Sequence, residues 1–139
     1  DIMKPKFLFL GMKDFQQLML IKSHLKKHNI KTKLIPCSTI REKNGTAISS
    51  RNSKLKKYQM KNAGKIYKFI KNNKKAILHK ILNKKKVDVI NELIKLGADR
   101  VDYIECIDLI KKEVCNNGKY KFNIFIAYYM GDVRLIDNL

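Results

Sequence analysis

Hydrophobic positions follow two different rhythms along this chain. Lys6–Gly11 (KFLFLG) is a short continuous apolar run closed by glycine, the pattern of a buried strand. Lys13–His28 then takes helical spacing, with Phe15, Leu18, Met19 and Leu25 on one face and lysines elsewhere. Asp14 stands at the N-cap position, and Gln17, three residues on, would complete a capping box. Ile30–Ile35 reads as a second strand, stopped near Pro36. Strand, helix and strand within about 30 residues predict a βαβ unit, whose two strands run parallel.

Beyond Asn52 the rhythm changes. A lysine-rich helix is predicted from about Lys54 to Lys71, with Leu55, Tyr58, Ala63, Ile66, Phe69 and Ile70 as its apolar stripe. A second helical stretch covers Ala76–Leu96, with a break near Asn83–Lys86, and ends at Gly97, a favourable residue just past a helix. Arg100–Cys106 and Lys121–Tyr129 read as strands joined by a loop containing Asn116–Gly118, and Met130–Gly131 marks a turn before a last short strand. Helices followed by a small antiparallel sheet make an α+β lobe. The expected organisation is therefore α/β, with residues 1–52 as one domain and residues 53–139 as a smaller second one. That boundary puts the segment before Lys54 at a junction between lobes, a favoured place for ligand clefts.

Composition narrows the picture only in places. An apolar share of 45% can build a core at 139 residues. No apolar run approaches the roughly 20 residues of a membrane span, and the N-terminal stretch lacks a small-residue cleavage site, so neither a span nor a signal peptide is expected. The chain starts at Asp1, directly before a strand-like run, which suggests a missing front. Cys37, Cys106 and Cys115 are odd in number and lack C-x-x-C spacing. A disulfide framework and a structural zinc site are disfavoured, and a reduced, cytoplasmic protein is expected. Cys37, beside Pro36, reads as a small apolar filler.

The net charge of +19 invites a nucleic-acid reading. Nearly all of it is lysine, however, the arginines being Arg41, Arg51, Arg100 and Arg134, and lysine keeps company with abundant Asn and Ile as under an AT-rich coding bias. Readers of nucleic acid use arginine forks and stacked aromatics. The lysines of residues 54–86 are spread around helices with an apolar second face, which is the pattern of a solvated surface. A small lysine-rich nucleic-acid-binding module stays as the alternative of a different class, with no sequence-specific nucleic acid expected as partner.

Two segments carry candidate chemistry. Gly11–Asp14 leaves the first strand at the carboxyl edge of a parallel sheet, where open α/β folds bind ligands. The helix it opens into offers unpaired N–H groups and a positive dipole end, to which Lys13 adds a charge. Gly45–Asn52 (GTAISSRN) is compact and rich in donors, suited either to an ordinary loop or to a polyphosphate. His24 and His28 have metal-compatible spacing but lack a third ligand in the sequence nearby, and no metal site is expected there.

Three separated segments, GMKDFQQL (residues 11–18), TIREKNGTAISSRN (39–52) and AYYMGDVRLIDN (127–138), together resemble the pantoate–beta-alanine ligase family over almost the whole chain. The resemblance implies part of a Rossmann-like nucleotidyltransferase sheet followed by a smaller C-terminal lid domain. It implies ATP-dependent condensation of pantoate with β-alanine through a pantoyl adenylate, in a cytoplasmic enzyme that is a homodimer when complete. By motif, Gly11, Met12, Lys13, Asp14, Ile40, Ile48, Ser49, Ser50 and Arg51 fall on ATP-binding positions and Gln17 on a pantoate contact. Lys13, Ser49, Ser50 and Arg51 would stabilise phosphate charge, on one shared nucleotide, with the SSR segment standing in for the KMSKS loop of related adenylate-forming enzymes.

Departures qualify that expectation. The family's His-x-Gly-His motif does not occur in this sequence, whose histidines are His24, His28 and His79. The chain therefore resembles the C-terminal half of the enzyme, inactive by itself, with Mg2+ arriving with ATP and protein ligands for it lying outside these residues. An inactive remnant carries the same motifs. Met12 stands where the family tends to have an acidic residue, and Lys56 replaces the hydroxyl that usually caps the first lid helix, at a cost of about 1 kcal/mol.

Overall fold

The computed structural model describes residues 3–111, 113–115 and 121–139, so the loop expected around Asn116–Gly118 lies outside the described residues. Two compact units result, residues 1–40 and 41–139.

In the first unit, β1 (Phe7–Gly11) and β2 (Lys33–Cys37) pair in parallel, with Phe7 opposite Lys33 and Gly11 opposite Cys37. Between them run a short 3-10 turn (Met12–Asp14) and α1 (Phe15–Lys27). This is the βαβ unit read from the sequence. The second strand begins three residues later than expected and runs through Pro36, whose missing N–H a two-stranded edge tolerates. Thr32 Oγ1 donates to Pro5 O at 2.7 Å and fastens the start of β2 to that of β1. Helix α1 ends on Asn29 in the left-handed region (φ 52°), and Ile30 N–H reaches back to Leu25 O at 2.9 Å. Leu18 is buried; Phe9 and Leu20 stay 64% and 72% exposed.

Two local expectations fail here. Asp14 makes no side-chain capping bond and has φ −92°, ψ 60°. The chain enters α1 through the 3-10 turn, so no extended N-cap residue aims its carboxylate at the first helical N–H groups, and Gln17 is exposed. Cys37 is exposed at the end of β2 and fills no core.

The second unit places α2 (Lys57–Asn72), α3 (Lys74–Leu82) and α4 (Lys86–Lys95) with an antiparallel sheet ordered β3 (Arg100–Asp108), β4 (Phe122–Met130), β5 (Val133–Asn138). One core joins them: Ile66, Ile70, Ile77, Val89 and Leu93 from the helices meet Ile104, Cys106, Ile124, Ile126 and Met130 from the strands. Even-numbered positions of β4 face this core, as the period of two demands. The break inside the second helical stretch is real, with Lys84 in the left-handed region (φ 60°) closing α3. Gly97 (φ 103°) closes α4, with Ala98 N–H bonded to Leu93 O at 3.1 Å.

Helix α2 starts three residues later than expected, because residues 50–54 form a 3-10 turn. Tyr58, read as part of the apolar stripe, is 60% exposed. Its neighbour Gln59 turns inward instead, buried, and accepts a hydrogen bond from Lys56 N–H at 2.8 Å. The expected boundary after Asn52 also differs from the division after Ile40. Residues 41–52 are bonded to β5 and α2, long-range ties that leave no local pattern.

Candidate functional site

Gly11 is the last residue of β1, extended at φ −66°, ψ 134°, and the 3-10 turn Met12–Asp14 leads from it into α1. Every residue type adopts that backbone, and a Cβ placed on Gly11 would meet no described atom within 4 Å. Neither conformation nor packing requires a glycine there, and the space over its Cα is open. Lys13 is half-buried and Asp14 exposed beside the helix start. Gly11, Met12, Lys13, Asp14 and Gln17 therefore cluster at the carboxyl end of β1 and the first turn of α1, the positive end of that helix's dipole. Ile40, at the end of the first unit, is 74% exposed.

The other cluster lies in the second unit. Residues 41–47 form a tight hairpin in which Arg41 bridges Ala47, Glu42 N–H donates to Thr46 O at 2.8 Å, and Gly45 turns at φ 95°. Asn44 holds the tip, accepting from Thr46 N–H at 2.9 Å and donating to Met60 O at 2.8 Å. The chain then emerges as Ile48–Arg51. Ser49 is extended and its Oγ accepts Arg51 N–H at 3.2 Å, so it caps the following 3-10 turn and keeps its own hydroxyl proton to donate. Asn52 donates to Ala47 O at 3.2 Å, which closes the base of the loop. Ile48 is 49% exposed, and Ser50 and Arg51 are exposed. Among the described residues no carboxylate forms an ion pair with Arg51.

The sequence reading missed Arg41. Its guanidinium forks onto Asp137 at 2.6 and 3.0 Å and lies 4.6 Å from the Tyr67 ring centroid. Burial works against its charge, but the hydrogen bond and field of Asp137 outweigh that and hold its pKa above the ordinary value. A signal was available, since arginine is scarce in this lysine-rich chain and forks suit carboxylates better than lysine does. The His24 and His28 rings stand 4.4 Å apart on exposed residues, and among the described residues no three His, Cys, Asp or Glu gather as metal ligands. Among the described residues no helix is long and apolar enough to cross a membrane.

A parallel βαβ unit followed by an α+β unit makes this a mixed α/β protein, and the solved structures it superposes on have a nucleotidyltransferase-like fold. The family model described as pantoate–beta-alanine ligase matches residues 1–139. The chain belongs to that family. It is 39% identical over 131 residues to the pantothenate synthetase of Endomicrobium trichonymphae, covering 94% of this chain and 46% of that protein. With the corresponding protein of Azobacteroides pseudotrichonymphae the identity is 38% over 140 residues, 99% of this chain and 50% of the relative. The pantoate–beta-alanine ligase of Francisella tularensis, crystallised with beta-gamma ATP and β-alanine, superposes with a TM-score of 0.70 at 37% identity, over 98% of this chain and 44% of that one. Pantothenate synthetase from Thermus thermophilus, at 23% identity and a TM-score of 0.79 over 97% of this chain and 49% of that one, shares the fold. This chain spans about half the length of the curated relatives it matches. Membership does not favour the nucleic-acid alternative, and Lys57, Lys61, Lys65 and Lys68 are exposed along α2.

Proposed function

We propose that this chain provides the nucleotide-activating residues of an ATP-dependent ligase that joins pantoate to β-alanine. What carries the reading is the match over the whole chain to a ligase crystallised with a nucleotide and β-alanine. In this reading residues 1–52 complete the nucleotide-binding domain and residues 53–139 form the lid, in a complete enzyme that is cytoplasmic and homodimeric.

The pantoate carboxylate attacks the α-phosphorus of ATP, the bond to the bridging oxygen breaks, and pyrophosphate leaves. The β-alanine amine then attacks the acyl carbon, AMP leaves, and the nitrogen loses a proton. Negative charge grows on the leaving pyrophosphate, so cations and donors fixed around it act most strongly in the transition state. Lys13 supplies a point charge and Arg51 a planar fork suited to phosphate oxygens. Ser49 and Ser50 supply short hydroxyl donors, the open space over Gly11 lets a nucleotide approach the backbone there, and Met12, Asp14, Ile40 and Ile48 are the remaining ATP-binding positions of this reading. Gln17, exposed in the first turn of α1, offers its amide to pantoate. Mg2+ enters as part of the ATP substrate.

The test is to incubate the complete ligase with pantoate and ATP but no β-alanine. Pantoyl adenylate should accumulate and be seen by mass spectrometry. Turnover that begins only with β-alanine and never yields the adenylate would refute the two-step reaction.

A further inference from the structure

We propose that Arg41 and Asp137 are positioning residues that fix the Ser49–Arg51 loop by tying its root to the last strand, β5. The proposal rests on the reading that this loop engages ATP.

One guanidinium reaches three elements. Its fork to Asp137 leaves Nη1 to donate to Gly45 O at 3.1 Å and Nη2 to donate to Asn138 O at 3.3 Å, while its face lies against Tyr67 of α2. Asp137 also accepts Asn138 N–H at 2.8 Å, so the carboxylate itself has a fixed orientation. The side chains of Arg41 and Asp137 are only 21% and 11% exposed. At that depth an ion pair is screened far less than at the surface, and losing one partner strands the other. Arg41 bridges Ala47, Ala47 is 4% exposed, and Ile48 follows directly. The loop therefore emerges from a root held by Arg41 on one side and is closed by Asn52 on the other. Its own short turn bonds at Ser49 and Asn52 then set where Ser49, Ser50 and Arg51 point. A donor set acting on a transition state must be held within a fraction of an ångström, and such precision comes from supporting contacts of this kind.

Lysine at position 41 keeps the charge but cannot span Asp137, Gly45 O and Asn138 O from one plane. Amide hydrogen exchange on the full chain should therefore show Arg51, Asn52 and Leu55 exchanging about tenfold faster in both Arg41→Lys and Asp137→Asn, with Leu93 and Ile104 unchanged. In the complete ligase the same variants should lower the maximal rate of pantoate-dependent ATP–pyrophosphate exchange about tenfold, with the pantoate KM unchanged. Uniformly faster exchange throughout the chain, an unaltered loop, or full rescue by lysine would overturn the proposal. Loop loosening in a wild-type background that performs no pantoate-dependent exchange would support the positioning pair and remove the adenylation reading instead.

Discussion

Gly45 lies flat against the ring of Tyr67. A Cβ at position 45 would fall within the van der Waals envelope of the ring carbons Cδ1 and Cε1, and the residue's φ of 95° is one that only glycine adopts without strain. Gly45→Ala should therefore cost about 1–3 kcal/mol in urea denaturation, from overpacking together with backbone strain. An unchanged midpoint would mean that the hairpin does not dock on α2 as described.

Lys56 occupies the N-cap of α2 with no oxygen to accept the N–H groups behind it, and Gln59 supplies only the reciprocal half of the capping box. Lys56→Ser should stabilise the chain by about 0.5–1 kcal/mol, and Gln59→Ala should destabilise it by a similar or larger amount. Thermal melts of the two variants check both signs. A destabilised Lys56→Ser would show that the lysine packs in a way that outweighs the missing acceptor.

Periodic patterns made most of the fold legible. The continuous run Phe7–Leu10 and the 3.6-residue spacing of Leu18 and Ile66 each point to one element, because burial of one face imposes its own repeat. Gly97 and Gly131 marked ends correctly, since both need positive φ. What escaped was long-range or side-chain-specific. Arg41 meets Asp137 across 96 residues, a tie that no window of sequence contains. Asp14 with Gln17 looked like a capping box, whereas the half-box that exists joins Lys56 to Gln59, where a lysine in the cap slot disguised it. At the candidate site, Gly11–Asp14 and Ile48–Arg51 are proposed on motif alone. Arg41 was not singled out, because its role is to hold the loop and not to carry a recognisable chemistry.

The three cysteines should separate by reactivity. Cys37 is exposed, whereas Cys106 and Cys115 are buried. Burial, followed by Cys115 and Glu105, pushes the Cys106 thiol up to about 12, and burial also raises Cys115. One thiol should react rapidly with an aromatic disulfide reagent in the native chain, and Cys37→Ser should abolish that phase. Above the ordinary thiol value of 9.0 the unfolded chain holds fewer protons than the native one, so stability should fall as pH rises from there toward about 12. Three fast thiols, or stability flat across that window, would contradict the burial of this pair.

Gly11 and Arg51 test the site without touching the core. Gly11→Ala fits its backbone and meets open space, so the melting temperature should hold while ATP affinity in the complete ligase falls about tenfold or more. Arg51→Ala should instead lower the rate of adenylate formation by roughly 10²-fold with a smaller effect on ATP binding, as for a charge stabiliser acting on the leaving group. A change confined to the ATP Michaelis constant would reassign Arg51 to simple binding.

The most direct measurement is ATP–pyrophosphate exchange with pantoate, run on this chain alone and on the chain co-expressed with the half of the Endomicrobium relative that it does not match. This sequence carries Lys13, Ser49, Ser50 and Arg51 but no His-x-Gly-His motif, and its first sheet leaves Phe9 64% exposed. The chain alone should show no exchange and a tendency to aggregate, and the added half should restore both solubility and pantoate-dependent exchange. Robust exchange by the chain alone would contradict the expectation that it is inactive without the His-x-Gly-His motif. A well-folded reconstituted enzyme with no exchange would contradict the claim that these residues still activate pantoate.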